Sequence, residues 1–208
     1  MKKYSSFITP AIIILLLLGG MFYFFLWDSY KNDTSDDGDD TQTEDPFALP
    51  DVSIPDLDRP IVIPSDMQQE TGERIKKDLE TVIGNLKEDP ADIDDWLDLG
   101  IFRKITGDLE GAREAWEYAL AFRPNDQRPY NNLADLYIYY FHDNTKGEEY
   151  LLQGIEKAPD GPQLYAKAFE FYYDVLHDAD KAKDILQKGI DAGTDITGDM
   201  QLMLNSIQ

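Results

Sequence analysis

The chain contains no cysteine and only two histidines, His142 and His177, in 208 residues. The missing cysteine excludes a disulfide framework, a thiolate metal site, a cysteine nucleophile and a lipidated N-terminal cysteine, and says little about compartment. With two histidines and no acidic cluster around either, no nucleophile–base pair, glycine-rich phosphate loop or metal-ligand spacing rises above chance. The expectation is a non-enzyme with no cofactor and no small-molecule substrate. Positive charge is also scarce: 19 lysines and arginines stand against 41 acids, a formal net charge of −22. Phosphate contacts need a basic footprint, so the soluble part is not expected to bind nucleic acid or an anionic membrane surface. Solubility or adaptation to high salt explains the same excess without any partner.

Uncharged sequence is concentrated at the start. Tyr4 to Trp27 has no charge over 24 residues, long enough to cross a bilayer core of about 30 Å as a helix. Pro10 falls in its first turns, where a missing amide costs little, and Phe22, Tyr23, Phe24, Phe25 and Trp27 crowd the far end as an interfacial belt would. Lys2 and Lys3 precede the segment and Asp28 follows it. This bias puts residues 1–6 in the cytoplasm, residues 7–27 across the membrane and the rest on the extracytoplasmic side, a single-pass arrangement in a cell membrane. A cleaved signal peptide competes with this reading, but the apolar run is too long for one. Its exit, Trp27-Asp28-Ser29, is also bulky and charged where a cleavage site would be small.

Residues 28–67 carry 12 acids against two bases. Asp28–Asp45 is acidic and Ser/Thr-rich with almost no large apolar residue, a composition that stays disordered. Pro46, Pro50, Pro55, Pro60 and Pro64 then favour extended, semi-rigid chain, so the segment is expected to be a disordered acidic, proline-rich linker. Within it, Asp33, Ser35, Asp37, Asp39, Thr41 and Glu44, with Gly38 at the sixth place, match the ligand spacing of an EF-hand calcium loop. An acidic low-complexity run produces such matches cheaply, Asp40 holds a place that is usually apolar, and no amphipathic helix flanks the loop. Asn32-Asp33-Thr34 is a formal N-glycosylation sequon that reads as chance so near the membrane. Val52–Ile63 is unusually aliphatic for a spacer, and either contact with the helical part or capture of a partner as a strand accounts for it.

From residue 68 the pattern turns helical. Gln68–Lys87, with Ile75, Leu79, Val82, Ile83 and Leu86 on one face, predicts an amphipathic leading helix over about 68–88, ended by Asp89-Pro90. Beyond it, Trp96-Leu-Asp-Leu99-Gly100, Ala112, Trp116 and Pro124 frame two amphipathic runs around a Gly107-Asp108 break. The order returns as Tyr130, Leu133-Ala134, Tyr137, Gly147, Leu151 and Pro159, and again as Tyr165, Ala168, Tyr172, Ala182 and Leu186. Asp108, Asp143 and Asp178 are each 35 residues apart. An aspartate just before a helix is an N-cap that satisfies free amides.

This array resembles the tetratricopeptide repeat (TPR) family. The resemblance implies an all-α fold: an α-solenoid of about three helix-turn-helix repeats (roughly 93–126, 127–161 and 162–194) with flanking helices. A capping helix at 198–207 ends it, and one transmembrane helix and the disordered linker precede it. The third repeat departs from the pattern, with Phe169 in a small-residue place and no closing proline, and is expected to pack more openly or slip in register. In the TPR family the first helices of the pairs line a concave groove for a peptide or a partner helix. Matched by offset from Trp96, Tyr130 and Tyr165, that groove would comprise Leu97, Ile101, Lys104, Asn131, Asp135, Ile138, Tyr139, Ala166, Glu170 and Tyr173. The carboxylate clamp of some relatives needs lysine and asparagine where Leu97 and Ile101 stand, so an internal peptide or helix is the expected ligand. His142 and His177 occupy equivalent places just before the capping aspartates. A shared turn solution explains them more simply than a metal pair.

The reading that follows is a membrane-anchored scaffold or adaptor whose partner is a peptide or helix of another envelope or secreted protein. A structural spacer or self-assembling subunit is the alternative, with a calcium-responsive surface protein behind it.

Overall fold

The structure, a computed structural model, describes residues 53–195 and 197–207. The expected transmembrane segment, the acidic part of the linker and the candidate calcium loop lie outside the described residues. No described helix is long and apolar enough to cross a membrane.

Among the described residues the fold is all-helical. The helices are α1 (Gln69–Glu88), α2 (Ile93–Ile105), α3 (Leu109–Phe122), α4 (Gln127–Asp135), α5 (Asn144–Lys157), α6 (Pro162–Glu170), α7 (Ala179–Asp191) and α8 (Asp199–Ser206). Helix α4 runs on without a break into a π-helical turn at Leu136–Tyr140, and α6 into another at Phe171–Val175. Helices pair as α2–α3, α4–α5 and α6–α7, with α1 against α2 and α8 against α7.

The three hairpins share specific bonds. The leading aromatic of each donates to a proline carbonyl six residues upstream: Trp96 Nε1 to Pro90 at 2.8 Å, Tyr130 Oη to Pro124 at 2.9 Å and Tyr165 Oη to Pro159 at 3.0 Å. These bonds let a buried ring keep its polar edge satisfied. Asp108, Asp143 and Asp178 cap the second helices, their carboxylates accepting from the amides of Gly111, Lys146 and Lys181. Because the third hairpin keeps both bonds, its expected slip in register does not occur. In place of a closing proline, Thr194 is buried there and its hydroxyl donates to the Gly189 carbonyl.

The hairpins differ in one respect. From leading aromatic to capping aspartate is 12 residues in the first (Trp96 to Asp108) and 13 in the second (Tyr130 to Asp143) and third (Tyr165 to Asp178). The π-helical turns absorb the extra residue, as single-residue helix insertions do. Phe141 N–H bonds Leu136 O and Leu176 N–H bonds Phe171 O, each five back, where Thr106 N–H in the first hairpin reaches only four back to Phe102 O. The chain then leaves each first helix through a left-handed residue: Gly107 at φ 86°, His142 at 56° and His177 at 55°. Histidine tolerates that region better than most side chains, so the paired histidines are a turn solution, as their equivalence predicts.

Burial is continuous from α1 to α8. Trp96, Trp116, Tyr118, Tyr165 and Phe171 are its largest enclosed side chains. Gly100 sits flush against the Trp116 ring, whose indole N–H donates to the Leu97 carbonyl at 3.1 Å. At the far end, Asp195 accepts from the amides of Met200 and Gln201, and Met200 covers Gly189. Leu202 and Met203 nevertheless point to solvent, so α8 shields the end of the array with one face only.

At the near end, residues 53–67 form an extended strap on the helices. Arg59 forks onto Asp108 (Nη2 to Oδ1 2.8 Å, Nε to Oδ2 3.0 Å) and reaches Glu114 at 3.3 Å. The buried Arg103 donates to Asp108 at 2.6 Å and to the Asp56 carbonyl at 3.0 Å. Lys87 pairs with Asp58 at 2.6 Å, and Leu57 and Ile61 pack against the core. Of the two alternatives for this aliphatic stretch, contact with the helical part is the one seen.

Candidate functional site

The first helices α2, α4 and α6 share one face, joined across the hairpins by polar and aromatic contacts. Lys104 on α2 lies over both the Trp116 ring (5.6 Å) and the Tyr140 ring (5.7 Å), a cation held between two π faces. Lys167 on α6 pairs with Asp135 on α4 at 3.1 Å and with Glu170 at 3.4 Å. Burial opposes the Lys167 charge, but Asp135 and Glu170 outweigh it and raise its pKa above the ordinary lysine value. Burial likewise pushes the Tyr139 phenol up, with Lys167 opposing and Asp135 and Glu170 adding. A cavity of about 280 Å³ opens between the three helices, lined by Leu97, Asp98, Ile101, Arg128, Asn131, Asn132 and Gln163. Burial and the neighbouring charges of Asp95 and Asp94 raise the Asp98 pKa, against the pull of Arg128.

Nine of the ten expected groove residues fall on or beside this face. Ile101, Tyr139, Glu170 and Tyr173 are exposed, and Lys104, Asn131, Asp135 and Ala166 are half-buried. Leu97 is buried as the floor of the cavity. Ile138 is different: it is 4% exposed and packs on Gly147 of α5, so it belongs to the core and not to the groove. The π-helical turn shifts the register, and the missing side chain of Gly147, where the third hairpin has Ala182, leaves the space that Ile138 fills. Counted back from the capping aspartates, Ile138 takes the place of the buried Arg103, and Tyr139 takes that of Lys104. In the third hairpin Tyr173 stays exposed despite the same shift, stacked on Phe169 at 5.4 Å.

Offset counting from the leading aromatics also misses Tyr140, which is 46% exposed. It sits in the added residue's turn, and the sequence signals for it are the aromatic run Tyr139-Tyr140-Phe141 and the longer spacing from aromatic to aspartate. Arg128, Asn132 and Gln163 were outside the counting scheme altogether. Arg128 is held at the cavity rim by Asp94 at 2.7 Å and Asp126 at 2.6 Å.

Another cavity, about 630 Å³, lies between the α3–α4 and α5–α6 loops, lined in part by Arg123, Asp126, Gln127, Arg128 and Asp160, so that Arg128 borders both cavities. Among the described residues no group of three or more histidine, aspartate or glutamate side chains is placed to hold a metal ion. No family model matches the chain, and no curated protein matches it.

Proposed function

We propose that the chain is a membrane-anchored TPR scaffold: a helical module on an acidic stalk, held on the extracytoplasmic side by residues 7–27. It binds a peptide or helix of another envelope or secreted protein on the face of its first helices and carries out no catalysis. The observation that carries this reading is the row of exposed aromatic rings on that face. Tyr139, Tyr140 and Tyr173 are 47%, 46% and 42% exposed. Large aromatics left in water on one face are what a docking partner would cover. The extra residue in α4 and α6 also supports the reading, since π-helical insertions collect at functional sites. Tethering by the stalk raises the local concentration of the module for partners at the same membrane, so a modest groove suffices.

The test is capture from an envelope extract on the immobilised helical module, with Tyr139→Ala and Tyr173→Ala tested together. The expected result is a specific envelope or secreted protein retained by the native module and lost from the double variant, whose melting temperature stays within a few degrees. Retention unchanged by the substitutions removes the assignment of this face.

A further inference from the structure

The strap at residues 53–67 is attached to the array in a different way from every helix in it. Each helix has at least one fully buried side chain, and the strap has none. Its side chains alternate between half-buried and exposed, with Leu57 and Ile61 against the core and Ile54 and Val62 in solvent. Among the described residues its backbone makes no backbone–backbone bond to the helices. It accepts one bond from them, from the Arg103 guanidinium to the Asp56 carbonyl. The rest of its polar hold is ionic: Arg59 on Asp108 and Glu114, and Asp58 on Lys87. The helices are complete without it. With Arg59 withdrawn, Asp108 still accepts from Arg103 at 2.6 Å and from the Gly111 amide at 3.0 Å. The cap of α3 therefore stays made and the buried arginine keeps its counter-charge.

We infer that the strap is a latch: residues 53–67 leave the array and re-dock as one unit while the helices stay folded, and the ion pairs of Arg59 set the balance. A segment with few buried contacts opens at a smaller free energy than the core beneath it. The turn at Pro64–Met67, where the Met67 amide donates to the Pro64 carbonyl at 3.1 Å, is the hinge into α1. Because the pairs that hold the latch are partly solvated, salt screens them and favours the open form. Opening frees fifteen residues, which add up to about 50 Å of extended chain ahead of α1. The latch does not rest on the partner-binding reading. Where residues 7–27 hold the chain at a membrane, its state sets how far the module reaches.

Because the chain has no cysteine, Val62→Cys and Glu156→Cys accept two spin labels at exposed places on the strap and on α5. Double electron–electron resonance on the full chain in detergent micelles then reads the distance between them. In low salt one short distance should dominate. A longer, broader one should grow about threefold in Arg59→Gln and in about 1 M sodium chloride, with the helical circular dichroism unchanged. Gly72→Ala tests the apolar side of the latch. A Cβ there would lie 2.7 Å from Cγ2 of Ile63, a β-branched side chain that yields only by moving the strap. This variant should also open the latch while its melting temperature holds or rises, since alanine favours the helix. One distance in every sample overturns the latch, and so does a longer distance that appears only together with loss of helical signal. Should Arg59→Gln disturb folding, Gly72→Ala alone decides.

Discussion

Gly100→Ala should destabilise the array although alanine is the better helix former. A Cβ built at Gly100 would lie 2.1 Å from Nε1, 2.4 Å from Cε2 and 2.6 Å from Cδ1 of Trp116. That ring is fully buried and cannot swing away without abandoning the 3.1 Å bond to the Leu97 carbonyl. Replacing glycine in a helix gains about 0.5–1 kcal/mol. Against it stand about 1–3 kcal/mol for overpacking and about 1–3 kcal/mol for a buried indole donor left unpaired. The clash wins by about 1–5 kcal/mol, which for a domain of this size lowers the melting temperature by about 2–20 °C. Gly84 on α1 is the internal control, being exposed with nothing within 4 Å of the same added atom. Gly84→Ala should gain the helix term alone, raising stability by about 0.5–1 kcal/mol. Thermal and urea unfolding of residues 47–208, followed by circular dichroism, measures both. If Gly100→Ala melts at or above the native temperature, the close approach of α2 and α3 around Trp116 is not what fixes that hairpin.

Three further outcomes follow from the capping aspartates and the turns. Asp143→Ala and Asp178→Ala each remove one cap and should cost about 1 kcal/mol. Asp108→Ala also strips the partner from the buried Arg103 and should cost about 3–5 kcal/mol, and equal losses in the three variants, by urea midpoint, would contradict the strap geometry. Burial alone would raise the Asp108 carboxyl, but hydrogen bonds from Arg59, the Gly111 amide and Arg103 hold it below its ordinary value. Its folded pKa is therefore the lower one, so its contribution is present above the unfolded value near about 3.9 and is lost as pH falls through the folded value. The stability difference between the native chain and Asp108→Asn, which keeps a capping oxygen, should accordingly shrink below about pH 4. His142→Gly and His177→Gly should each stabilise by up to about 1 kcal/mol by removing a left-handed side chain, and a loss instead would mean the imidazoles make a contact beyond the turn.

Much of the array is legible in the sequence because its determinants are local. Proline, leading aromatic and capping aspartate lie within twenty residues of one another, and each bond they make reaches only three to six residues along the chain. The strap's contact with the helices was one of two open alternatives, and its anchor was not legible for the opposite reason. Its anchor pairs Arg59 with Asp108, 49 residues apart, and nothing local marks Asp108 as bearing two arginines in addition to its helix. One hint was present: counted from the leading aromatics, Arg103 stands where the other hairpins carry Tyr137 and Tyr172. An arginine in a core place needs a buried anion, and that anion turned out to hold the linker as well.

The misplacement of Ile138 sharpens the point about register. Counting by a fixed offset treats a helix as a uniform spiral, and α4 is not one. Its extra residue turns every later side chain by about 100° relative to a count from Tyr130. The same residue lengthens the spacing to the aspartate from 12 to 13, so the break was written in the sequence as a length before it became an angle. Counting from both ends of the hairpin would have put Tyr139 outward and Ile138 inward. It would also have marked the turn between them, where the two counts disagree, as the place where the helix surface is rebuilt. Tyr139 and Tyr140 occupy that turn, one beside Lys167 of the following hairpin and the other over Lys104 of the preceding one. An inserted residue therefore does more than displace a register here: it falls where two adjacent outward aromatics reach toward both neighbouring hairpins.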